Sequence, residues 1–495
     1  MLIAPIQTGP SDGGFMRVLA IAFAGLTLIG VLVWAVVFRW PSAIQSVPSP
    51  SAVLISDVRL VSMQPGAAPV QTHRDILVLD GEIIAIADHG ALDDDPRAAN
   101  AQRIAGAGQT LLPGLIDAHV HVWDVPELAA YLAHGVTTVR NMSGLEVHLR
   151  WSEAIERGAL LGPTLLTTGP ILNSPGPNAQ SNHVLVRTEA EARDAVRRQQ
   201  AQGFEHLKLY SNLTEDAYRG VLEEAHARGM TVSGHTPEGV RAPGIPLERD
   251  FQIPFVSVLD EGFLTIEHTE SIVWHGLRDR LNAERMGDLA RQMAAAGVVV
   301  TPTLIAHDNL VRVAETDGAY LQREGVAAMN PLYVKLDAGV YDYWSGQDPA
   351  YREEARRQFY RLATGLMHEA GVTLIAGTDA GIFTNLPGRS MTRELELLVL
   401  SGLTPYEALQ AATVTPARVF GLDDRGVIAP GLRADLILVP GDLLSDISSL
   451  EYPSAVMANG VWLDGEDLER LEETSHQGSL PRSVLNVLPV LLGRQ

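Results

Sequence analysis

Short apolar runs alternate with amphipathic stretches along the chain between residues 115 and 422. Eight of the runs are strand-like and bounded by turn residues. The stretches between them have helical periodicity, as after Thr188, a predicted N-cap, and between Thr214 and Gly229, a predicted start and stop. This alternation predicts an α/β protein with a parallel (β/α)8 TIM barrel over residues 113–422. The predicted strands end at His121, Asn141, Gly169, Tyr210, His235, His268, Thr303 and Asp379.

The segments on either side of the barrel consist of short apolar runs separated by Gly, Pro and Asp. Residues 52–107 contain several such runs, and residues 426–442 and 454–463 have the same character. A piece of antiparallel sheet this small does not easily bury its own core, so each flank needs a partner. We therefore expect residues 52–112 and 423–466 to form one composite β-sandwich appended to the barrel.

The N-terminal region has the hydropathy of a membrane anchor. Residues 18–38 are uncharged and mostly apolar, and Arg17 and Arg39 flank them, so this segment is long enough to span a hydrocarbon layer about 30 Å thick. We predict a flexible tail at 1–17, a transmembrane anchor at 18–40 and a Pro/Ser linker at 41–51. The alternative is a cleaved signal peptide, although its apolar region is usually about 7–15 residues.

An anchor of this kind places the protein in a bacterial inner membrane, with the catalytic domain expected in the periplasm. Cleavage would instead release a periplasmic or secreted protein. The C-terminal tail, residues 467–495, begins charged and helical and then becomes apolar. It packs on the sandwich, contacts a partner or lies on the membrane.

The composition narrows the choice of partners and ligands. A formal net charge of −22 repels phosphate backbones and excludes nucleic acid. The chain has no cysteine, so a metal must be held by histidine, carboxylate or a less usual ligand. Expected partners are a small-molecule substrate and, through the N-terminal helix, the membrane; the sequence leaves self-association into a homo-oligomer open.

Candidate metal ligands stand at the carboxyl ends of five predicted strands, the end at which TIM barrels build their sites. His119 and His121 are one residue apart on the first strand, so both imidazoles leave the same face and can bind one cation. The other strand ends carry Lys208, His235, His268 and Asp379. Taken singly, each could be a core histidine or a helix cap, but their joint placement predicts a metal site.

Lys208 needs a separate argument, because an ammonium group repels a cation. It is one of only two lysines; the other, Lys335, is expected on the surface. A lysine facing two metals would be driven to its neutral form, which adds carbon dioxide to give a bridging carbamate. The alternative is a lysine paired with a carboxylate inside the barrel.

Residues 111–122 read LLPGLIDAHVHV, and this stretch resembles the first barrel strand of the amidohydrolase superfamily. The phrases GFEHLKLY and GTDAG extend the resemblance to the prolidase-like and imidazolonepropionase-like branch. Asn141 and Thr392 stand where that branch usually has Asp and frequently has His. The resemblance favours carboxylation of the lysine. It further implies two divalent metals, expected to be zinc. In this arrangement His119, His121 and Asp379 would hold one metal and His235 and His268 the other, while a hydroxide and the carbamate of Lys208 would bridge them.

The resemblance implies a metal-dependent amidohydrolase that cleaves an amide bond of a dipeptide or N-acyl amino acid. Asp379 would take the proton of the bridging hydroxide and pass it to the leaving amine. Tyr210, two residues beyond Lys208 and on the same strand face, would donate to the developing oxyanion. Four residues near the mouth are weaker candidates for substrate contacts: His183, His307, Asn309 and Arg389.

Two other readings remain open at this point. The same centre could hydrolyse a cyclic amide, a lactone or a phosphotriester, since fold and metal do not determine the substrate. Alternatively, the protein is not an enzyme but a catalytically silent, membrane-anchored binding module. The presence of all six candidate ligands argues against this alternative.

Overall fold

The computed structural model describes residues 21, 23–25, 27, 30, 40–45, 50–241, 250–349 and 352–492. The chain divides into two compact units, Met1–Trp40 and Pro41–Gln495. In the first unit the described residues 21, 23–25, 27 and 30 are helical, and the Thr27 hydroxyl donates to the Phe23 carbonyl oxygen at 2.8 Å. The predicted tail and most of the predicted anchor lie outside the described residues. Within the described part, no helix has the length and apolar character needed to cross a membrane.

The second unit alternates strands and helices in the order that the sequence pattern predicts. Its strands are β1 (Ala52–Leu60), β2 (Gln71–Leu79), β3 (Glu82–Asp88), β4 (Gln102–Ala105), β5 (Gln109–Pro113), β6 (Leu115–Val120), β7 (Val136–Asn141), β8 (Thr164–Thr167), β9 (Leu172–Asn173), β10 (Val184–Leu185), β11 (His206–Leu209), β12 (Thr231–Gly234), β13 (Thr265–Glu267), β14 (Val299–Thr301), β15 (Thr373–Leu374), β16 (Leu436–Pro440), β17 (Ala455–Ala458) and β18 (Val461–Leu463).

The helices of this unit follow and separate those strands. They are α1 (Glu127–Ala133), α2 (Glu146–Glu156), α3 (Glu189–Gln202), α4 (Glu215–Ala227), α5 (Thr269–Leu277), α6 (Ala283–Ala295), α7 (Leu304–Glu315), α8 (Pro331–Leu336), α9 (Ala338–Ser345), α10 (Arg352–Ala370), α11 (Ser390–Leu400), α12 (Pro405–Ala411), α13 (Val414–Val419), α14 (Gly465–Ser475) and α15 (Leu480–Leu491).

The eight strands predicted for the barrel correspond to β6, β7, β8 and β11–β15, and all their pairings are parallel. They lie in a three-stranded sheet, β6-β7-β8, and a seven-stranded sheet, β10-β9-β11-β12-β13-β14-β15. Backbone hydrogen bonds also run between the two sheets. The Gly169 amide donates to the His206 carbonyl oxygen at 2.7 Å, and the Ala118 amide donates to the Ala376 carbonyl oxygen at 3.0 Å. The α/β architecture is the one that the sequence predicts.

The two segments that flank residues 113–422 meet in one eight-stranded sheet, with the order β18-β17-β16-β5-β1-β2-β3 and with β4 on β1. The junction is the antiparallel pair β5 and β16, in which Leu112 lies opposite Ile437. Val53, Leu111 and Leu436 are buried in a common core. The strands of the two flanks therefore share one sheet as expected, while their division into the two layers of a sandwich stays a prediction.

The end of the predicted linker region nearest the anchor is structured. Residues Ser42–Ile44 form a turn of 3₁₀ helix, and the Ile44 side chain is fully buried. The Leu161 amide donates to the Ile44 carbonyl oxygen at 2.8 Å. This segment is thus part of the second unit rather than a free connection.

Candidate metal centre

The centre is built on β6, whose residues are all buried. Asp117 links this strand to the segment that follows β15, because its carboxylate accepts from the Thr378 amide at 3.0 Å and the Thr378 hydroxyl at 2.6 Å. The Asp379 amide donates to the His119 carbonyl oxygen at 2.8 Å. Asp379 itself has a left-handed backbone with φ of 55°. The first and last strands therefore place His119, His121 and Asp379 together by backbone geometry.

These three side chains form a group that could hold a metal ion, with one ligand atom from each within 4.8 Å of the others. The Asp379 Oδ1 atom lies 2.8 Å from His121 Nε2 and 3.3 Å from His119 Nε2. Burial opposes ionisation of Asp379, but the neighbouring His119, His121 and His268 hold its pKa well below the usual range. A buried carboxylate is thereby kept anionic between two imidazoles.

The remaining predicted ligands lie around the same point. Lys208 is 1 % exposed, and its Nζ is 3.4 Å from His119 Nε2. The ring centroid of His268 lies 4.7 Å from that of His119 and 4.5 Å from that of His235. All six side chains line one cavity. The structure thus brings together every residue predicted from the strand ends as a metal ligand.

The protonation of these groups suits metal binding. Burial lowers the pKa of His268 to about 4 and lowers the pKa of His119 and His235 well below the usual value, so the imidazoles are neutral at pH 7. The Nδ1 atoms of His121 and His235 are buried and have no hydrogen-bond partner among the described residues. A buried imidazole nitrogen without a hydrogen-bond partner fits a divalent cation, so the donor set agrees with a metal centre.

An internal ion pair orients the first of these ligands. Glu267, fully buried at the end of β13, accepts from Arg140 Nη2 at 2.7 Å and lies 2.8 Å from His119 Nδ1. Burial alone would raise the pKa of Glu267, but Arg140, His119 and Lys208 hold it well below the usual range. The hydrogen bond to Nδ1 leaves His119 Nε2 facing Asp379 and Lys208. Such a partner fixes both the tautomer and the direction of a ligand.

The cavity above the centre has a volume of about 470 Å³. Tyr210 lines it, with its ring 4.0 Å from His235 and 4.8 Å from His183. His307 also lines it, between the rings of Trp344 and Tyr360. Other lining side chains are Trp123, Arg241, Glu270, Trp274, Tyr333, Arg356 and Phe383. The cavity therefore combines aromatic walls with a few charged groups.

Two of the weaker sequence candidates do not line the described cavity. Asn309 donates to Asn385 Oδ1 at 2.8 Å and accepts from the Tyr320 hydroxyl at 2.8 Å, which is a buried structural network. Arg389 pairs with Glu324 at 3.1 Å and lies over the Tyr452 ring. Asn309 lies after β14 and Arg389 lies after β15, but both side chains make contacts outside the cavity.

Sequence reasoning missed several groups around the site. Glu267 directly precedes His268, and Arg140 is the penultimate residue of β7. Their positions as charged residues inside apolar strands could have identified them from the sequence. Asn141, which departs from the superfamily pattern, accepts from the Val122 amide at 3.0 Å and so holds the loop after His121. The stacked rings of Trp123 and Tyr333, 3.6 Å apart, join distant segments and carry no local signal.

Comparisons with known proteins agree with this geometry. The sequence model of the family described as "Amidohydrolase family" matches residues 110–463. An imidazolonepropionase of Deinococcus deserti is 25% identical over 439 residues, which cover 82% of this chain and 97% of that enzyme. Two solved structures share the fold. A bottromycin amidohydrolase has a TM-score of 0.69 at 24% identity, covering 91% of this chain and 97% of its own. A Xaa-Pro dipeptidase has a TM-score of 0.62 at 22% identity, covering 84% and 100%.

The family match covers most of the chain and includes the strand ends that carry the candidate ligands. The similarity of the two solved structures shows the fold, and the match to the family shows the kind of enzyme. The chain therefore belongs to the amidohydrolase family and is a metal-dependent amidohydrolase.

Proposed function

We propose that this protein uses two divalent metal ions, with zinc as the expected metal, to hydrolyse an amide bond of a dipeptide or an N-acyl amino acid. The observation that carries the proposal is the convergence of four histidines, Asp379 and a buried lysine at one end of eight parallel strands. We infer that these strands close into one barrel, since backbone hydrogen bonds join the segment after β8 to β11 and join β6 to the segment after β15. Histidine and carboxylate donors suit zinc.

In this proposal His119, His121 and Asp379 would hold one metal, and His235 and His268 would hold the other. Lys208 would supply a further anionic ligand as a carbamate, formed when its neutral amine adds carbon dioxide and releases a proton. Burial lowers the pKa of Lys208 to about 8, which favours the neutral amine. Among the described residues its Nζ makes no hydrogen bond to a carboxylate, which speaks against the simple buried ion pair.

The bound metals would lower the pKa of a water molecule and polarise the scissile carbonyl group. The chain's own residues then handle the proton and the developing charge. Asp379, anionic and hydrogen-bonded to His121, accepts the proton of the attacking water and delivers it to the leaving amine. Tyr210 keeps its proton, because burial raises the pKa of its hydroxyl, and it donates a hydrogen bond to the oxyanion.

The cavity supports a small substrate with both apolar and polar parts. Its volume of about 470 Å³ lies within the range of about 300–1,000 Å³ usual for small-molecule sites. The stacked Trp123 and Tyr333 form an apolar wall near the centre. On the other side Arg241 is already paired with Glu238 and covers the Trp274 ring. An acyl chain or apolar amino-acid side chain fits the aromatic wall.

A second candidate is hydrolysis of a cyclic amide, a lactone or a phosphotriester at the same centre. The similarity to an imidazolonepropionase across most of both chains favours the cyclic amide among these. We further propose that residues 18–40 tether the enzyme to a bacterial inner membrane with the catalytic unit on the periplasmic side. The hydropathy of residues 18–38 supports this tether.

The two lysines allow a clean test of the centre. The full-length protein in detergent is assayed for metal content and for hydrolysis of dipeptides, N-acyl amino acids, cyclic amides, lactones and phosphotriesters. We expect two metals per chain, activity on the first two classes, and a carbamate resonance after addition of ¹³C-bicarbonate. Lys208→Ala removes the resonance and the activity, while the matched Lys335→Ala keeps both. A folded, metal-free, active protein, or an unchanged resonance in Lys208→Ala, contradicts the proposal.

A further inference from the structure

One carboxylate of the cavity has no role in the proposed mechanism. Glu270 is the second residue of α5 and stands two positions after His268. Its side chain is exposed and lines the cavity. Glu270 makes no hydrogen bond and no ion pair with any residue that the structure describes. A substrate that fills the cavity removes water from this carboxylate, so it either supplies a counter-charge or leaves the anion unpaired.

The arginines at the start of α10 are already paired with other carboxylates. Helix α10 packs against α5, and Arg356 lines the same cavity as Glu270. Arg356 donates to Asp279 at 2.6 Å and to Glu353 at 2.8 Å, and Arg352 donates to the same Asp279 oxygen at 2.6 Å. Together with Glu270 this group contains three carboxylates and two guanidinium groups. One negative charge is therefore left over, on the side chain that opens into the cavity.

The other arginine in the described cavity lining, Arg241, also has its own carboxylate. It donates to both carboxylate oxygens of Glu238, at 2.7 and 3.0 Å, and its guanidinium lies 4.8 Å from the centre of the Trp274 ring. Trp274 is one helical turn after Glu270 on α5, so the two side chains leave the same face of the helix. The wall beside Glu270 thus already holds one cation against an aromatic ring, while Glu270 itself takes none from the described residues.

An aromatic side chain from α10 also lies near Glu270. The Thr269 and Thr364 hydroxyl oxygens are 2.9 Å apart and join the first turn of α5 to α10. Tyr360 stands one turn before Thr364 and lines the cavity. Burial and the charge of Glu270 raise the pKa of the Tyr360 hydroxyl well above its usual value. A carboxylate beside aromatic rings binds an ammonium group both by charge and through the ring faces.

The position of Glu270 indicates which group of a substrate it meets. The proposed centre places the scissile carbonyl among ligands that include His268. Consecutive Cα atoms are about 3.8 Å apart, so the Cα of Glu270 lies at most about 7.6 Å from that of His268. In a dipeptide the amino group is bonded to the carbon atom next to the scissile carbonyl, whereas in an N-acyl amino acid that carbon carries no charge. The charged group within reach of Glu270 is therefore the amino terminus of a dipeptide.

We propose that Glu270 binds the protonated amino terminus of a dipeptide, so that the centre prefers dipeptides to N-acyl amino acids. The inference rests on the proposed function and narrows its substrate class. A dipeptide supplies a charge-assisted hydrogen bond, which is stronger than a neutral one. An N-acyl amino acid of the same shape fills the cavity and leaves the carboxylate unpaired, which weakens its binding. The expected preference is about 10- to 100-fold in kcat/KM.

The full-length, metal-loaded protein in detergent is assayed at pH 7 with matched pairs of compounds. Alanyl-leucine, alanyl-proline and alanyl-arginine are each compared with the propionyl compound that lacks only the amino group. In the parent protein we expect the preference for the alanyl compound, carried mainly by a lower KM. Glu270→Gln should bring the ratio of the two kcat/KM values close to one, with unchanged metal content. The matched control Glu284→Gln, exposed in the first turn of α6 and outside the cavity lining, should keep the ratio.

The outcomes separate this inference from the proposed function. Hydrolysis of neither compound of any pair refutes the proposed function and the inference with it. Equal kcat/KM values within the pairs, or an unchanged ratio in Glu270→Gln, overturn the ammonium site alone. Loss of metal in Glu270→Gln, or an equal fall of kcat on both compounds, places Glu270 in the metal centre and also overturns it.

A further pair, caproyl-leucine and ε-aminocaproyl-leucine, places the only ammonium group at the end of a side chain. We expect no preference within this pair. A preference for the aminocaproyl compound that depends on Glu270 would assign the site to a basic side chain and overturn the assignment to the amino terminus.

Discussion

Replacing Glu267 by glutamine tests the internal ion pair beneath the metal centre. Glu267 and Arg140 are 0% and 3% exposed, and the carboxylate is the partner of both Arg140 and His119. The isosteric amide removes the charge without leaving a cavity, so the buried guanidinium loses its counter-charge. Breaking a buried pair from one side costs about 3–5 kcal/mol. We expect the free energy of unfolding to fall by about 3 kcal/mol, the lower end of that range, because the amide oxygen still accepts one hydrogen bond.

The assay is urea denaturation of the detergent-solubilised, metal-free protein at pH 7, since bound metal would add its own stabilisation. The matched control is Glu153→Gln on α2, an exposed carboxylate paired with Arg157, for which we expect at most about 0.5 kcal/mol. The double variant Arg140→Met/Glu267→Met should lose less stability than Glu267→Gln, because no charge is left unpaired. Equal losses in Glu267→Gln and Glu153→Gln would refute the reasoning.

The same substitution has a pH dependence and an effect on metal binding. The pKa of Glu267 is held well below its usual value, so its stabilisation is complete above the pKa of the unfolded chain and disappears as the pH falls through the low folded-state pKa. The stabilities of the parent and Glu267→Gln should therefore converge in acid. Because His119 loses an anionic hydrogen-bond acceptor, metal affinity should fall about 10- to 100-fold in a competition titration with a chelator.

Three further changes test other parts of the molecule. Gly381→Ala brings a Cβ atom into steric overlap with the His121 carbonyl oxygen, so it should lower both the melting temperature and the metal content. The control Gly371→Ala has a similar positive φ but open space around the new Cβ atom, so it should lower the melting temperature slightly and leave the metal content unchanged. Two arginines hold the pKa of Glu224 at about 2, so the stability lost in Glu224→Gln at pH 7 should vanish as the pH falls from about 4 towards 2, measured by urea denaturation; a constant difference would contradict this. Tyr210→Phe should lower kcat by about 100- to 1,000-fold with unchanged metal content, and an unchanged kcat would remove Tyr210 from the proposed mechanism.

The sequence predicted the strands and the grouping of the six candidate ligands well, because both depend on local pattern and on the general rule that parallel strands direct their carboxyl ends to one face. A strand end is marked by the last alternating residue before a turn, and parallel barrels direct all those ends to one face. His119, His121, Lys208, His235, His268 and Asp379 could therefore be collected without any knowledge of distances. The eight strands appear in the structure at the predicted places, although each is shorter than its apolar run.

The weaker predictions depended on position along the chain alone. His183 and His307 do line the cavity, while Asn309 and Arg389, on segments of the same kind, contact other residues. Position in a loop or at a helix start after a strand predicts at which end of the strands a residue lies. The direction of its side chain is decided by neighbouring elements, so sequence pattern did not separate these cases.

By itself, then, the sequence determined the α/β alternation, the apolar segment near the N-terminus and the six side chains that meet at one end of the strands. Only the tertiary structure decided that Glu267 and Arg140, 127 residues apart, share an internal charge pair, and that Glu270 opens into the cavity. The physical reason is that periodicity and turn chemistry act between near neighbours in the chain. Charge pairs and packed faces depend on which distant elements meet, and the chain decides that only when it folds.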